Sequence, residues 1–283
     1  MRLPYGNRIV ITGASSGLGR AAAELFLRKG FTVYALSRHA EETSFPEGNG
    51  RIIGINTDVT KEESVRRAAE RVNDLGGAGI LLHCAGFGIA GAAEDTDPED
   101  VRRQFETNFF GVLRINRAFL PAMRRRGGGL ILAAGSVAGI YPIPFQSAYS
   151  ASKFALEAYM EALRMEAAPF GIRACIIEPG DTKTGFTAAR EITMPEDSPY
   201  YDGCRRSVQK MERDERSGAD PSAFAKTALR LAQKKNPKPR VVVGVSYRLL
   251  TFLKRLLPAR AVNFLLVQLY VPKHGGEKKK EAR

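Results

Sequence analysis

Residues 8–20 of the chain read Arg-Ile-Val-Ile-Thr-Gly-Ala-Ser-Ser-Gly-Leu-Gly-Arg. The first five residues form a β-rich run, and glycines at positions 13, 17 and 19 separate it from a helical run that extends to Lys29. Glycines between a strand and a helix let the backbone approach a pyrophosphate, which the free N–H groups and the helix N-terminus attract. The stretch therefore predicts a strand, a phosphate-binding loop and a helix at the carboxyl edge of a sheet.

Further short β-rich runs follow this one and alternate with helical runs. The seven predicted strands are Arg8 to Thr12, Thr32 to Leu36, Ile52 to Asp58, Gly79 to Cys84, Gly129 to Ala134, Ile172 to Glu178 and Arg240 to Gly244. They are apolar along nearly their whole length, which is typical of parallel strands that are covered on both faces. We therefore expect an α/β protein with a doubly wound, seven-stranded parallel sheet, that is, a Rossmann fold with helices on both faces.

The charge of the chain is unevenly distributed. Its 283 residues carry a formal net charge of +13, but residues 1–204 hold 23 Lys and Arg against 24 Asp and Glu, and the remainder holds 20 against 6. A basic excess confined to the C-terminal part does not indicate a nucleic-acid-binding body, so we expect no nucleic-acid partner. We predict one catalytic domain over residues 1–245, with a substrate lid at about residues 185–219, and a basic helical extension and tail over residues 246–283.

Cysteine use and hydropathy bound the compartment. Cys84, Cys175 and Cys204 are an odd number at unrelated spacings, which predicts reduced thiols. The first strand leads directly into the glycine loop, so we expect no signal peptide, and no run of 18 consecutive apolar residues predicts a membrane span. We therefore expect a cytoplasmic protein.

A second stretch, from Ser136 to Lys153, carries candidate chemistry. Tyr149 and Lys153 are four residues apart in a long run without glycine, so on a helix they lie on one face, one turn apart. An ammonium about 4 Å from a phenol is worth on the order of 4 kcal/mol at an effective dielectric of about 20, which would bring the pKa of Tyr149 toward neutral pH. Ser136 follows a predicted strand, and its hydroxyl could hold a substrate oxygen beside the phenol. For the pair alone, a solvated helix face is the favoured interpretation. Ser136 and the glycine loop reverse this preference in favour of a proton-transfer site.

These features together resemble the short-chain dehydrogenase/reductase superfamily in its shorter single-domain form, and are similar to those of hydroxysteroid and retinol dehydrogenases. The resemblance covers about residues 6–245. It implies that Tyr149 donates or accepts a proton, that Lys153 lowers the pKa of Tyr149 and binds the nicotinamide ribose, and that Ser136 orients the substrate oxygen.

The resemblance extends to a fourth catalytic residue. Asn108 lies in a predicted helix from Pro98 to Phe119 and matches the family's asparagine, which holds a water that links the lysine to solvent. A buried asparagine bonded to its own helix backbone is the alternative. The residues implied to bind the cofactor are Gly13, Ser15, Ser16, Gly17, Leu18, Gly19, Ser37, Arg38, Asp58, Val59, Ala85, Gly86, Tyr149, Lys153, Pro179, Gly180, Thr182 and Thr184.

Two positions in this set bear on which cofactor binds. After the second strand the chain reads Ser37-Arg38, so the acidic residue that would bind a free ribose 2′-hydroxyl is missing and an arginine stands ready for a 2′-phosphate. This pattern predicts NADP rather than NAD. A surface arginine is the alternative, and Ser16 stands where many NADP-preferring relatives carry a second basic residue.

The chain departs from the family after the fourth strand. The family usually shows Asn-Asn-Ala-Gly, but this chain reads His83-Cys84-Ala85-Gly86. Ala85 and Gly86 should preserve the turn and the close approach to the cofactor. His83 could replace some of the hydrogen bonds that the missing asparagines supply.

Two other kinds of chemistry are disfavoured. Residues 13–17 also fit the Gly-x-Ser-x-Gly pattern of a hydrolase, which needs a downstream histidine. Only His39, His83 and His274 are present, and His274 lies in a charged tail. No cluster of His, Cys and carboxylates has metal-ligand spacing, so we expect no metal.

The C-terminal segment predicts a lipophilic substrate. Residues 246–271 form two apolar helical segments that Pro258 divides, and Arg248 and Arg255 lie on the polar side of the first. Such a surface must be covered by the substrate pocket, a partner subunit or an anionic membrane, which would give the protein a peripheral membrane contact. A partner subunit is also suggested by small residues on the catalytic helix, which predict a homo-oligomer: Ala151, Ala155, Ala158 and Ala162.

We therefore predict an NADP-dependent oxidoreductase that moves a hydride between the nicotinamide and a carbonyl or secondary alcohol. One alternative is a membrane-surface reductase of lipid or acyl carbonyls. Another is a cofactor-binding sensor without turnover, which would not need all four catalytic positions filled.

Overall fold

Strand β1 lies near the middle of a seven-stranded parallel sheet. The computed structural model describes residues 3–271 of the chain. The strands in this range are β1 Arg8–Thr12, β2 Thr32–Ser37, β3 Arg51–Asn56, β4 Ile80–His83, β5 Ile89–Gly91, β6 Gly129–Ala134, β7 Ile172–Glu178, β8 Glu191–Thr193 and β9 Arg240–Val242. The sheet order is β3-β2-β1-β4-β6-β7-β9, and β5 pairs separately with β8. The order reverses between β1 and β4, where open sheets of this kind bind ligands at the carboxyl ends of the strands.

Helices cover both faces of this sheet, which confirms the predicted doubly wound fold. One face packs against the helices Gly17–Arg28 and Ser222–Ala232, and the other packs against Glu62–Asp74, Gly111–Arg125 and Ser147–Ala167. The helices are α1 Gly17–Arg28, α2 Glu62–Asp74, α3 Pro98–Phe105, α4 Gly111–Arg125, α5 Ser147–Ala167, α6 Tyr201–Arg216, α7 Ser222–Ala232, α8 Val245–Leu256 and α9 Ala259–Tyr270.

The alternation within β1 explains why the strands are apolar throughout. Val10 packs in the core beneath α2, α4 and α5, whereas Ile9 and Ile11 pack beneath α1 and α7. Successive side chains of a strand point to opposite faces. A strand with a core on each face therefore needs an apolar residue at almost every position.

The predicted helix from Pro98 to Phe119 is not a single α-helix. Residues Glu106–Phe110 form a π-helical turn between α3 and α4. Such turns occur mostly as single interruptions of α-helices. Asn108 lies in this turn and is buried.

The region predicted as a lid, at about residues 185–219, contains more regular structure than expected. It holds β8 and the 16-residue helix α6. This helix buries only a narrow set of side chains in an otherwise charged sequence, which is why its periodicity is weak: Cys204, Ser207, Val208 and Met211.

Helices α8 and α9 follow β9 and form the predicted helical extension. No helix among residues 3–271 has both the length and the apolar character needed to cross a bilayer. The predicted tail, residues 272–283, lies outside the described residues. The three cysteines are free, as predicted.

Candidate active site

The carboxyl ends of the sheet strands open into a cleft of about 1130 Å³. Every predicted cofactor-binding residue except Gly19 lines it, and so do three of the four predicted catalytic residues; Asn108 lies outside its lining. We call one side the glycine-loop wall, formed by residues 13, 15–18, 37–38, 58–59 and 85–86. We call the other side the tyrosine wall, formed by residues 136, 149, 153, 179–182 and 184–186.

The glycine-loop wall depends on a close approach of two strand ends. Gly13 has a φ of +65°, and a Cβ on it would lie 2.8 Å from the backbone nitrogen of Ala85. Glycine is the residue that adopts this φ without a side chain to collide. The Thr12 hydroxyl accepts hydrogen bonds from the N–H groups of Cys84 and Ala85, at 3.1 and 3.2 Å. Gly19 serves packing, since a Cβ on it would lie 2.7 Å from the carbonyl carbon of Gly13.

The rest of this wall offers groups that fit a nucleotide. Ser37 Oγ is buried and has no hydrogen-bond partner among residues 3–271, and the exposed Arg38 lines the cleft beside it. Buried polar atoms are normally paired, and an arginine suits a phosphate. Asp58 Oδ1 accepts hydrogen bonds from the N–H and hydroxyl of Thr60, at 2.9 and 2.8 Å, so this carboxylate shapes the turn before α2. These residues fit the adenosine half of a dinucleotide.

Tyr149 and Lys153 lie on the first two turns of α5, and both are buried. Lys153 Nζ donates a 2.8 Å hydrogen bond to the Ala134 carbonyl and lies 5.7 Å from the centroid of the Tyr149 ring. Burial raises the pKa of Tyr149 to about 12 and lowers the pKa of Lys153 to about 8. The prediction that Lys153 brings the pKa of Tyr149 toward neutral pH is wrong for this structure, because burial of the phenol outweighs the nearby charges.

Ser136 adjoins the phenol. A side-chain hydrogen bond between Ser136 and Tyr149 lowers the pKa of Tyr149, though by less than burial raises it. Ser136 Oγ also accepts a 3.0 Å hydrogen bond from the Ala138 N–H, which fixes it at the start of the 3₁₀ turn Val137–Gly139. Two hydroxyl groups therefore meet at one point of the cleft, where both can bond a single oxygen atom.

Asn108 lies outside the cleft lining and forms hydrogen bonds to the segments that carry the tyrosine wall. Its Oδ1 accepts from the Phe87 N–H, and its Nδ2 donates to the Phe87 carbonyl, each at 3.0 Å. Nδ2 also lies 3.2 Å from Ser152 Oγ, which donates to the Tyr149 carbonyl at 2.7 Å. The side-chain amide of Asn108 thus links the segment after β4 to the turn of α5 that carries the tyrosine.

His83 occupies the place of a family asparagine inside the sheet. Its Nε2 lies 2.9 Å from Oδ1 of Asn116 in α4, and Asn116 Nδ2 donates to the Tyr159 hydroxyl at 3.2 Å. Burial lowers the pKa of His83 to about 4, so the ring is neutral at neutral pH. His83 therefore supplies a hydrogen bond from β4 to helix α4.

The inner end of the cleft contains residues that sequence analysis missed. The Phe186 ring lies 5.5 Å from the Tyr149 ring, and Arg190 forms a buried ion pair with Glu215 of α6. They lie in a region of mixed charges with weak periodicity, so the sequence offers no signal that marks these two charges as buried. Other residues at this end of the cleft are Ile143, Gln146, Met211 and Tyr270.

The predicted threonines after β7 lie in different surroundings. Thr182 Oγ1 donates to the Gly180 carbonyl at 2.9 Å. Thr184 lies against the glycine loop, because a Cβ on Gly17 would be 3.5 Å from the Thr184 Cβ. Thr184 is therefore the one that faces the loop where phosphates would bind.

One turn beyond the candidate lysine, Glu157 enters a buried acidic cluster that sequence analysis also missed. Arg240 Nη1 lies 3.2 Å from Glu157 and 3.9 Å from Glu178. Burial, and after it the neighbouring Glu178, raise the pKa of Glu157 to about 9. A Cβ on Gly135 would lie 2.9 Å from Glu157 Oε1, so the cluster packs beneath the strand end that leads to the candidate serine. The only sequence feature that could have indicated this cluster is Glu178, a carboxylate at the end of the apolar strand β7.

Comparison with known proteins identifies the family. The sequence profile of the short chain dehydrogenase family matches residues 7–194. The 3-ketodihydrosphingosine reductase of Bacteroides thetaiotaomicron is 40% identical over 239 residues, which cover 83% of this chain and 87% of that protein. The chain belongs to the short-chain dehydrogenase family and is an NAD(P)-dependent oxidoreductase.

Solved structures agree with this assignment. A short-chain dehydrogenase from Streptomyces avermitilis is similar with a TM-score of 0.78 and 31% identity, covering 93% of this chain and 95% of that one. A short-chain dehydrogenase from Burkholderia cenocepacia in complex with NADP has a TM-score of 0.73 and 27% identity, covering 96% of this chain and 100% of that one. The predicted Rossmann fold is thereby confirmed.

Proposed function

We propose that the chain is an NADP-dependent oxidoreductase that transfers a hydride between the nicotinamide and a carbonyl or secondary alcohol of a lipophilic substrate. The observation that supports it most is that Ser136, Tyr149 and Lys153 line the same cleft as the glycine loop. When bound, the nicotinamide supplies or receives the hydride at the carbonyl carbon. The proton and the positioning are the work of side chains.

Tyr149 is the proposed proton donor. With a pKa raised to about 12, the phenol is protonated at neutral pH, as a group that gives a proton to a carbonyl oxygen must be. Ser136 would hold the same oxygen with a second hydrogen bond. The carbon receives the hydride, the oxygen receives the phenol proton, and the product is the alcohol. The protonated phenol is the form that serves the reduction, and the reverse oxidation would use the same group as the phenolate.

Lys153 and Asn108 would support this transfer. Lys153 would exchange its bond to the Ala134 carbonyl for the nicotinamide ribose, and its ammonium would stabilise the phenolate that remains on Tyr149. The amide of Asn108 bonds Phe87 and Ser152, so a water that returns the proton through this amide would take the place of one of these partners.

We propose NADP as the preferred cofactor. Support comes from the unpartnered Ser37 hydroxyl beside Arg38, and from the absence of an acidic residue at this strand end. Thr184, which lies against Gly17, is the proposed side-chain contact to the cofactor after β7.

The inner end of the cleft suits a long-chain substrate with a polar head. Glu215 and Gln146 lie there among apolar side chains, and Gln146 Nε2 is buried without a partner among residues 3–271. The Bacteroides relative is named for 3-ketodihydrosphingosine, a ketone on a long-chain amino alcohol. We propose a substrate of this chemistry, with the Glu215 carboxylate shared between Arg190 and the amine, and with Gln146 facing a hydroxyl.

The test compares ketones by the change in nicotinamide absorbance. We expect turnover of 3-ketodihydrosphingosine with NADPH, and slower turnover of a long-chain ketone without the amine. Glu215→Gln should raise KM for the amine-bearing ketone about ten-fold or more, because it removes a charge-assisted contact, and should change KM little for the other. Thr187→Val, which removes a hydrogen bond to Glu215 but keeps the carboxylate, is the control. Equal KM changes for both ketones would disprove the substrate class, and no turnover of any ketone would disprove the reductase.

A further inference from the structure

Helix α8 exposes its apolar side and turns polar side chains toward the protein. Four apolar side chains at helical spacing point outward, with exposures of 79% for Val245, 59% for Leu249, 57% for Phe252 and 66% for Leu256. An amphipathic helix on a globular protein normally has the reverse orientation. Something other than the described protein must therefore cover this face.

Hydrogen bonds of α8 fix that orientation. The Tyr247 hydroxyl accepts from the Asp181 N–H at 3.1 Å and donates to the Asp181 carboxylate. Lys254 donates to the Ile140 carbonyl, and its Nζ lies 5.1 Å from the centroid of the Tyr141 ring. Because the polar side holds the helix to the body, rotation that buries the leucines would break these bonds.

Helix α9 extends the same surface. Of the seventeen large apolar side chains that are exposed among residues 3–271, eleven lie between Val245 and Leu269. Single exposed apolar residues are ordinary, but a concentrated patch marks a docking surface. We call these residues the platform: Val245, Leu249, Leu250, Phe252, Leu253, Leu256, Leu257, Phe264, Leu265, Val267 and Leu269.

The charged side chains that α8 and α9 themselves carry are all of one sign. Residues 221–276 contain no Asp or Glu, while Arg248, Arg255 and Arg260 are exposed on α8 and α9. Arginines beside an apolar helix face are the pattern of helices that lie in the interface of an anionic bilayer. A symmetric contact between two copies would instead place these arginines near their own equivalents, where like charges repel.

We propose that the platform docks the protein on the surface of an anionic lipid bilayer, with the apolar side chains in the headgroup region and the arginines against lipid phosphates. The contact is peripheral, since the two helices hold 12 residues each. Tyr270 at the end of α9 also lines the cleft, so docking brings the inner end of the cleft close to the lipid. The docking does not depend on the proposed function; delivery of a lipid-dissolved ketone past Tyr270 does rest on it.

Vesicle flotation of the full chain tests the docking. We expect it to float with phosphatidylcholine vesicles that contain phosphatidylglycerol, and much less with phosphatidylcholine alone or at high salt. Leu249→Ser/Phe252→Ser/Leu256→Ser should lower the floating fraction at least ten-fold, and Arg255→Gln/Arg260→Gln should lower it on anionic vesicles. The control Met165→Ser/Phe170→Ser removes two exposed apolar side chains outside the platform and should float like the parent. The proposal would be overturned if the floating fraction did not change with lipid charge or with any of these substitutions.

A fluorescence probe distinguishes lipid from self-association, because the chain has no tryptophan. Phe252→Trp should shift its emission to the blue when anionic vesicles are added, and Phe170→Trp should not. A blue shift of the Phe252→Trp protein that depends on protein concentration without vesicles would show that a second copy covers the platform and would overturn the proposal. This readout requires a folded chain but no turnover, so it is independent of the reductase assay.

Discussion

The two walls of the cleft differ in the contacts that form them. In the glycine-loop wall, backbone atoms come close because Gly13 has no side chain, and the Ser37 hydroxyl has no partner among the described residues. In the tyrosine wall, buried side chains already bond other groups of the protein, as Lys153 bonds the main-chain carbonyl of Ala134. The glycine-loop wall therefore follows from a short sequence motif, and it offers an unpaired polar group to a ligand. The shape of the tyrosine wall depends on burial by distant segments, and its side chains must exchange hydrogen-bond partners when a ligand binds.

The largest expected effect separates the two walls. Tyr149→Phe keeps the ring and removes the proton, so we expect turnover to fall by about two orders of magnitude or more while NADP(H) affinity, measured by calorimetry, stays within about two-fold. Tyr159→Phe, which removes another partly buried hydroxyl of α5, should retain most activity. Near-normal turnover of Tyr149→Phe would contradict the assigned role.

The next effect lies in the glycine-loop wall alone. Replacing Ser37 with Asp and Arg38 with Leu removes a cation and supplies an acceptor for a ribose hydroxyl. We expect the ratio of kcat/KM values to shift from NADP toward NAD by about ten- to a hundredfold, since a charge-assisted contact is worth roughly 1.5–3 kcal/mol. A parent enzyme that already prefers NAD would show that Arg38 has been misinterpreted.

A smaller effect, on stability, is expected when a glycine in each wall is replaced by alanine. Gly13→Ala places a methyl group 2.8 Å from the Ala85 nitrogen at a positive φ, so we expect a loss of about 1–3 kcal/mol in the free energy of unfolding and weaker nucleotide binding. Gly185→Ala has no atom within 4 Å of the added methyl and should be nearly neutral in denaturant unfolding. Equal stability of the two variants would argue against the close strand approach.

The smallest effect concerns the acidic cluster behind the tyrosine wall. The pKa of Glu157 is raised in the fold from 4.5 to about 9, so the folded protein keeps a proton that the unfolded chain releases between these values. Its contribution to stability is present at low pH and is lost as pH rises through this window. Relative to Glu157→Gln, the parent should lose about 1 kcal/mol or more of unfolding free energy between about pH 5 and pH 8. Glu161→Gln, which leaves the buried pair in place, should keep the parent's slope, and parallel slopes for parent and Glu157→Gln would refute the buried proton.

The sequence was sufficient for the sheet, because each strand is a continuous apolar run and both faces are covered. It was also sufficient for the glycine loop, where strand, glycines and helix are adjacent in the chain. Fifteen of the sixteen residues assigned to the cofactor at the ends of β1 to β4 and after β7 line the cleft, with Gly19 the exception. The order of the strands depends on contacts between residues far apart in sequence, which periodicity does not indicate. The expected strand arrangement came from the family resemblance.

The features that sequence did not predict all depend on contacts with segments distant in the chain. The high pKa of Tyr149 follows from its enclosure, to which Phe186 contributes from the region after β7. Glu215 belongs to a helix whose apolar stripe is too narrow to mark it. The outward orientation of α8 follows from hydrogen bonds to Asp181 and Ile140, which a helical pattern alone cannot indicate.

Because of the π turn at Glu106–Phe110, the number of residues between α3 and α4 determines how these two helices are oriented relative to each other. A π turn is an α turn with one residue inserted, so deletion of one residue within it would leave an uninterrupted helix with no loop to absorb the change. Everything on the N-terminal side would then rotate by roughly 100° relative to α4. Asn108 would leave Phe87 and Ser152, although every neighbouring residue would be retained. A single-residue gap at this point in a relative therefore signals a different support for the tyrosine, even where the sequence around it is otherwise identical.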